Sequence, residues 1–134
     1  MRNQAQSPPR PLQALVVEDS PAMSERLVRM LSIPGRVEVA ATATTETEAV
    51  AACVDRQFDI AVVDLQLAQG TGFGVIRRLR AETGPRTTIV VLTNHAVPAL
   101  RIASLEAGAD HFFDKGRDVT AVPGVIEEVL ARRH

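Results

Sequence analysis

Residues 14–21 read Ala14-Leu15-Val16-Val17-Glu18-Asp19-Ser20-Pro21. The apolar run does not alternate with polar residues, so it suits a strand covered by helices on both faces, as in parallel α/β sheets. An acid pair ends it. Ser20 then offers a hydroxyl N-cap and Pro21 a residue suited to the first helical position. Met23, Leu27, Met30 and Leu31 follow as one apolar stripe at helical spacing. Strand, acidic turn and helix start thus sit in one short stretch.

Outward from it the same alternation recurs. Apolar runs at Val37–Ala41, Ile60–Leu65, Thr88–Leu92 and His111–Phe113 read as further strands. Thr45-Glu46-Thr47-Glu48 is a capping box that opens a second helix to about Arg56. A third helix follows Gly72, with Val75, Ile76 and Leu79 inward and Arg77, Arg78 and Arg80 outward. A fourth runs from about Pro98 to Ala107 and stops at Gly108, a C′ glycine. A fifth begins near Pro123, with Val122, Val125, Ile126, Val129 and Leu130 at helical spacing. Five βα units with right-handed crossovers predict a doubly wound α/β fold: an open five-stranded parallel sheet with its ligand site at the carboxyl strand ends. Residues 12–134 are expected to form this one domain, and the polar, proline-rich residues 1–11 a disordered tail.

The chain has 134 residues, 46% apolar and 23% charged, with a formal net charge of -1. Near neutrality argues against a dedicated nucleic-acid binder, which needs a basic face to displace counterions from phosphates. Aromatic content of 3% leaves no stacking platform for single strands. The apolar runs are strand-length, well short of the ~20 residues a membrane span needs, and no apolar signal region opens the chain. A cytoplasmic protein is the expectation. Cys53 is the only cysteine, so it forms no internal disulfide, and it reads as buried filler among alanines. Of the 15 Lys+Arg residues one alone is lysine, Lys115. His95, His111 and His134 lack metal-ligand spacing, and no Walker lysine pattern is present. Gly70, Gly72 and Gly74 miss the dinucleotide spacing and read as a flexible loop. The arginines at 77–80 and 132–133 read as solvated helix faces.

The strand ends collect the chemistry. The first ends in Glu18-Asp19, the third reaches Asp64-Leu65, the fourth ends at Thr93, and Lys115 follows the fifth. Carboxylates crowded at one sheet edge raise one another's pKa unless a cation holds them. A hard divalent ion with oxygen ligands, Mg²⁺ foremost, resolves that conflict. An ammonium and a hydroxyl beside such a site suit the oxygens of a phosphoryl group.

These five residues, in this order on five βα units, resemble a response-regulator receiver domain of two-component signalling. The context agrees: Val16-Val17-Glu18-Asp19-Ser20, then Asp64-Leu65-Gln66-Leu67 before Gly72, and Ala107-Gly108-Ala109-Asp110 before the last strand. The resemblance spans roughly Leu12 to Ala131 and implies a flavodoxin-like sheet of strand order 2-1-3-4-5. It further implies that Asp64 accepts a phosphoryl group, attacking a phosphohistidine or a small acyl phosphate. Glu18, Asp19, Asp64 and the backbone carbonyl of Gln66 would hold Mg²⁺. Lys115 would pair with Asp64 and then with a phosphoryl oxygen, and Thr93 would turn its hydroxyl onto another. Phe112 would follow inward as an aromatic switch, although strand alternation favours its neighbour Phe113 as the core residue.

The implied function is a stand-alone phosphorylation switch. A histidine kinase or histidine phosphotransfer protein would load it, and it would signal to an unknown protein target by contact, without a DNA-binding or enzymatic output domain. It would be no enzyme beyond its own Mg²⁺-dependent phosphorylation and dephosphorylation. A homodimer through the fourth-helix, fifth-strand and fifth-helix face is a further expectation. A phosphorelay intermediate is the second reading. An Asp-nucleophile phosphatase of the haloacid-dehalogenase type is a remote third, since it would want a second Asp where Gln66 stands. Some positions depart from the family pattern. Gly116 replaces a frequent proline, which predicts a looser loop, Ala68 replaces another, and Asn94 stands where a smaller residue is usual. Gln66 and His95, each two residues beyond a site residue, are expected to set the aspartyl-phosphate lifetime.

Overall fold

The computed structural model describes residues 10–54 and 56–132. Five strands, β1 (Leu12–Val17), β2 (Val37–Ala43), β3 (Ile60–Val63), β4 (Thr88–Thr93) and β5 (His111–Asp114), form one sheet in the order β2-β1-β3-β4-β5. All neighbouring pairs are parallel. Five helices alternate with them: α1 (Pro21–Leu31), α2 (Glu46–Val54), α3 (Gly72–Thr83), α4 (Pro98–Ala107) and α5 (Val122–Arg132). The predicted flavodoxin-like order is the one observed.

Alternation along each strand explains the two cores. Leu15, Val17, Ala61, Val63, Ile89 and Val91 face one side, where Ala49 and Cys53 of α2 and Val75, Ile76 and Leu79 of α3 cover them. Ala14, Val16, Ile60, Val62, Val90 and Leu92 face the other, under Leu27 and Leu31 of α1 and Val122, Val125, Ile126 and Val129 of α5. Strands β3 and β4 are buried along their whole length, so their sequence is an unbroken apolar run rather than an alternating one. Cys53 is buried filler, as expected, and burial pushes its thiol pKa up.

The helix ends follow their sequence signals in most places. Ser20 Oγ accepts from the Met23 amide, and Pro21 opens α1. Thr45 Oγ1 accepts from the Glu48 amide at 3.0 Å. The other half of that capping box is displaced by one residue: Glu48 reaches Thr44, accepting from its amide at 2.7 Å and its hydroxyl at 3.0 Å. Gly108 ends α4 with a φ of 122°, in the region only glycine enters freely. Helix α2 is described as far as Val54, and Arg56 lies beyond it. Arg56 donates to the carbonyl of Ala40, where the β1–β2 register shifts by one residue. A guanidinium thus satisfies a carbonyl on an edge strand, one way an exposed edge is closed to pairing. The expected tail falls mostly outside the described residues, as do Arg133 and His134.

Two expectations about single side chains are corrected. Phe112, not Phe113, is the core residue: it is 7% exposed and packs in the α2–α3 core, whereas Phe113 is half-buried and stacks on His111 at 5.7 Å. Strand β5 is an edge strand, so its α5-side face is only partly covered. Arg80 is no solvated residue either. Its guanidinium donates to the carbonyls of Gly108 (2.8 Å), Gly84 (2.8 Å) and Thr87 (2.7 Å) and to Asp110 Oδ2 (2.6 Å). It ties the end of α3 to the end of α4. Arg77 and Arg78 are exposed as expected, while Arg132 donates to Thr88 Oγ1 at 2.7 Å.

Candidate functional site

Parallel strands deliver their carboxyl ends to one edge, and four of the predicted residues meet there. Lys115 Nζ lies 2.7 Å from Asp64 Oδ2 and 2.9 Å from Glu18 Oε1. All three side chains are nearly inaccessible, with 7% of Lys115, 6% of Asp64 and 1% of Glu18 exposed. The second oxygens are held by backbone: Glu18 Oε2 accepts from the Ser20 amide at 3.0 Å and Asp64 Oδ1 from the Gln66 amide at 3.2 Å. Asp19 is exposed, and its carboxylate lies with those of Glu18 and Asp64 in a cluster whose oxygens are within 4.8 Å of one another.

The electrostatics are unbalanced. Burial pushes the Glu18 carboxyl above its ordinary range; the Lys115 ammonium and the Ser20 amide offset only part of that, and Asp64 adds to it. For Lys115 burial pulls the other way, yet the close contacts with Asp64 and Glu18 outweigh it and its pKa ends raised. One ammonium therefore faces several acids. The Lys115–Glu18 contact is a charge contact outside hydrogen-bond angles, so Glu18 Oε1 is buried without a donor among the described residues. A buried carboxylate oxygen held only by an ion contact, beside two further acid oxygens, is a donor set that fits a hard divalent cation such as Mg²⁺.

Thr93 joins this group by strand position alone. It is fully buried at the end of β4, pairs with Asp114 across the sheet, and its Oγ1 accepts from the His95 amide at 3.2 Å. Phe112 lies inward on β5, in the core. Gln66, Asn94 and His95 are exposed at this edge. The loop after Lys115 is not left loose by Gly116. Asp114 Oδ1 accepts from the Gly116 amide (2.8 Å) and the Arg117 amide (3.0 Å), while Asp118 Oδ2 accepts from the Asp114 amide (3.0 Å). Aspartates do here what a rigid proline does elsewhere.

The glycine loop is likewise packed rather than flexible. A Cβ on Gly72 would strike the Asp64 carbonyl and the Leu65 backbone, so α3 starts directly against the end of β3. The sequence shows the glycines but not the reason for Gly72, which is close approach of two backbones.

A family model for the response regulator receiver domain matches residues 14–126. The chain belongs to this family. The receiver domain is 37% identical over 123 residues to the response regulator MprA of Mycobacterium sp. (strain KMS), covering 91% of this chain and 49% of the relative. It thus spans about half the length of the curated relatives it matches. Among solved structures it is similar to a LuxR-family response regulator from Aurantimonas sp. SI85-9A1, at 30% identity and a TM-score of 0.79, covering 90% of this chain and 86% of that one. A response regulator from Burkholderia pseudomallei with a phosphorylated aspartic acid, calcium ion and citrate aligns at 26% identity and a TM-score of 0.75, covering 91% and 72%. No helix among the described residues is long and apolar enough to cross a membrane.

Proposed function

We propose that residues 12–134 form a phosphorylation switch whose acceptor is Asp64, loaded by a histidine kinase or histidine phosphotransfer protein. The observation that carries this reading is the buried Lys115–Asp64 contact of 2.7 Å beside an acid cluster of Glu18, Asp19 and Asp64. Phosphoryl transfer needs little covalent chemistry from the protein beyond positioning and charge neutralisation. Glu18, Asp19, Asp64 and the Gln66 carbonyl would hold Mg²⁺, which when bound neutralises developing charge on the phosphoryl oxygens.

The chain's own groups do the rest. Asp64 Oδ2 attacks phosphorus, a P–O bond forms to the carboxylate, and the bond to the donor's nitrogen or acyl oxygen breaks with its electron pair leaving on the donor. The Gln66 amide fixes Asp64 Oδ1, so the other oxygen is the one presented. Lys115 moves its charge from the carboxylate to a phosphoryl oxygen. Thr93 donates its hydroxyl to another phosphoryl oxygen, and a rotation that carries Oγ1 away from the His95 amide would loosen the start of the loop into α4. The receiver would pass its state to a protein target by contact, with the α4–β5–α5 face as a homodimer surface; relay to a second histidine is the alternative outcome. Gln66 and His95, exposed at the mouth, would set how fast water reaches the phosphoryl group. Substituting either should change the decay half-life of the adduct, and unchanged decay in both variants would contradict that role.

The test is incubation with Mg²⁺ and acetyl phosphate followed by mass spectrometry. One added phosphoryl group is expected, and after chemical trapping it should map to Asp64 in the tryptic peptide 57–77. No adduct, or one at another residue, would overturn the assignment.

A further inference from the structure

The path from Asp64 to α2 runs through Gln66 and Thr71. Asp64 Oδ1 accepts from the Gln66 amide at 3.2 Å. Gln66 forms an isolated antiparallel bridge with Thr71, and across it the Gly72 amide donates to the Leu65 carbonyl at 3.0 Å. That bond leaves the Thr71 amide facing outward, and the carboxylate of Glu46, at the first position of α2, accepts from it at 2.9 Å. Thr71 in turn caps α3, its Oγ1 accepting from Gly74. The loop is therefore anchored to α2, not only to its own helix.

Several further features serve the same contact. A Cβ on Gly70 or Gly74 would run into the Glu46 side chain; Gly70 is needed for its φ of 80° as well, whereas Gly74 leaves room for the carboxylate. Gln69 adds a second anchor: its carbonyl accepts from the Glu46 amide at 2.9 Å and its side-chain oxygen from Thr47 Oγ1 at 3.1 Å. The Ala68 amide reaches the Thr44 carbonyl at 3.2 Å. Acids in a first helical turn are common for reasons of the helix dipole alone. A dipole does not require an oxygen on one named amide, nor a glycine that leaves room for it.

We propose that Glu46 is a positioning residue for the Asp64 site, setting the Gln66 backbone from α2 through Thr71. This rests on the reading of Asp64 and the Gln66 carbonyl given above. Glu46 touches neither the acceptor nor a metal. It fixes the loop whose amide holds Asp64 and whose carbonyl would complete the cation's ligands. Partners bonded directly to a metal ligand typically change affinity by about tenfold or more when removed, and that is the upper bound for a contact one step further out.

Two substitutions separate positioning from a dipole effect. Glu46→Asp keeps a charge in the first turn of α2 but withdraws the oxygen from Thr71. Glu46→Gln discards the charge and keeps an acceptor of the same reach. The readouts are hydrogen exchange at the Thr71 amide and Mg²⁺ titration followed by amide shifts at Gln66, with phosphorylation by acetyl phosphate measured alongside. Positioning predicts fast Thr71 exchange and a half-saturating Mg²⁺ concentration raised up to about tenfold in Glu46→Asp, with Glu46→Gln close to wild type. The reverse ranking, or wild-type behaviour of Glu46→Asp in both readouts, overturns the role. Exchange at Thr71 and the Mg²⁺ titration need no phosphoryl group, so they decide on Glu46 even if wild-type Asp64 takes none. Absence of that adduct would count against the acceptor alone.

Discussion

Asp64→Asn is expected to abolish the phosphoryl adduct completely while leaving the domain folded and slightly more stable. The amide cannot serve as the anionic oxygen nucleophile, and among the described residues the other carboxylate paired to the buried ammonium is Glu18, which is 1% exposed and closed to a phosphoryl donor. The stability argument is one of charge counting. In the wild type one buried ammonium faces two buried carboxylates, and the Glu18 carboxyl is already pushed up by burial and by Asp64. Removing the Asp64 charge leaves Lys115 paired with Glu18 at 2.9 Å, so no ion is stranded. Relief of the like-charge repulsion is worth on the order of 1 kcal/mol. Mg²⁺ should then stabilise the variant less than it does the wild type, since one acid of the cluster is gone. Mass spectrometry after acetyl phosphate, and thermal melts with and without Mg²⁺, check both halves. An adduct on the asparagine variant, or a melting point well below that of the wild type, would refute the account.

The fold was legible because its signals are local and repeated. Unbroken apolar runs mark β3 and β4, Ser20-Pro21 marks the start of α1, and Gly108 marks the end of α4. The gathering of Glu18, Asp64 and Lys115 was legible for a geometric reason: parallel strands bring residues far apart in sequence to one edge. What the sequence hid depends on partners it does not display. Alternation says that Phe112 and Phe113 point to opposite faces, yet both faces of this sheet are apolar, and only the thinner cover over the edge strand decides between them. Arg80 looks like its neighbours Arg77 and Arg78. It stands four residues after Ile76, at the margin of the buried stripe, and its four acceptors come from Gly84, Thr87, Gly108 and Asp110. Glu46 reads as an ordinary first-turn acid of α2, while its partner Thr71 lies on another βα unit.

Lys115→Arg is the second large effect expected, and it separates chemistry from switching. The ammonium fills a slot between Asp64 and Glu18 with 7% of its side chain exposed. It is a compact charge on a flexible stem, able to follow an oxygen from the carboxylate to the phosphoryl group. A guanidinium is a wider planar fork that prefers two parallel bonds to a carboxylate, and here two carboxylates stand within its reach. The variant should therefore hold Mg²⁺ on its acids and still gain one phosphoryl group, because both need only the carboxylates. Its cation, committed to Glu18, would not make the transfer that couples the adduct to the end of β5. Amide shifts induced by phosphorylation at Thr93 and Phe112 should fall to about half of those in the wild type or less. Spectra of both phosphorylated proteins give the comparison, and shifts of wild-type size in the arginine variant would show that the compact charge is not what couples them.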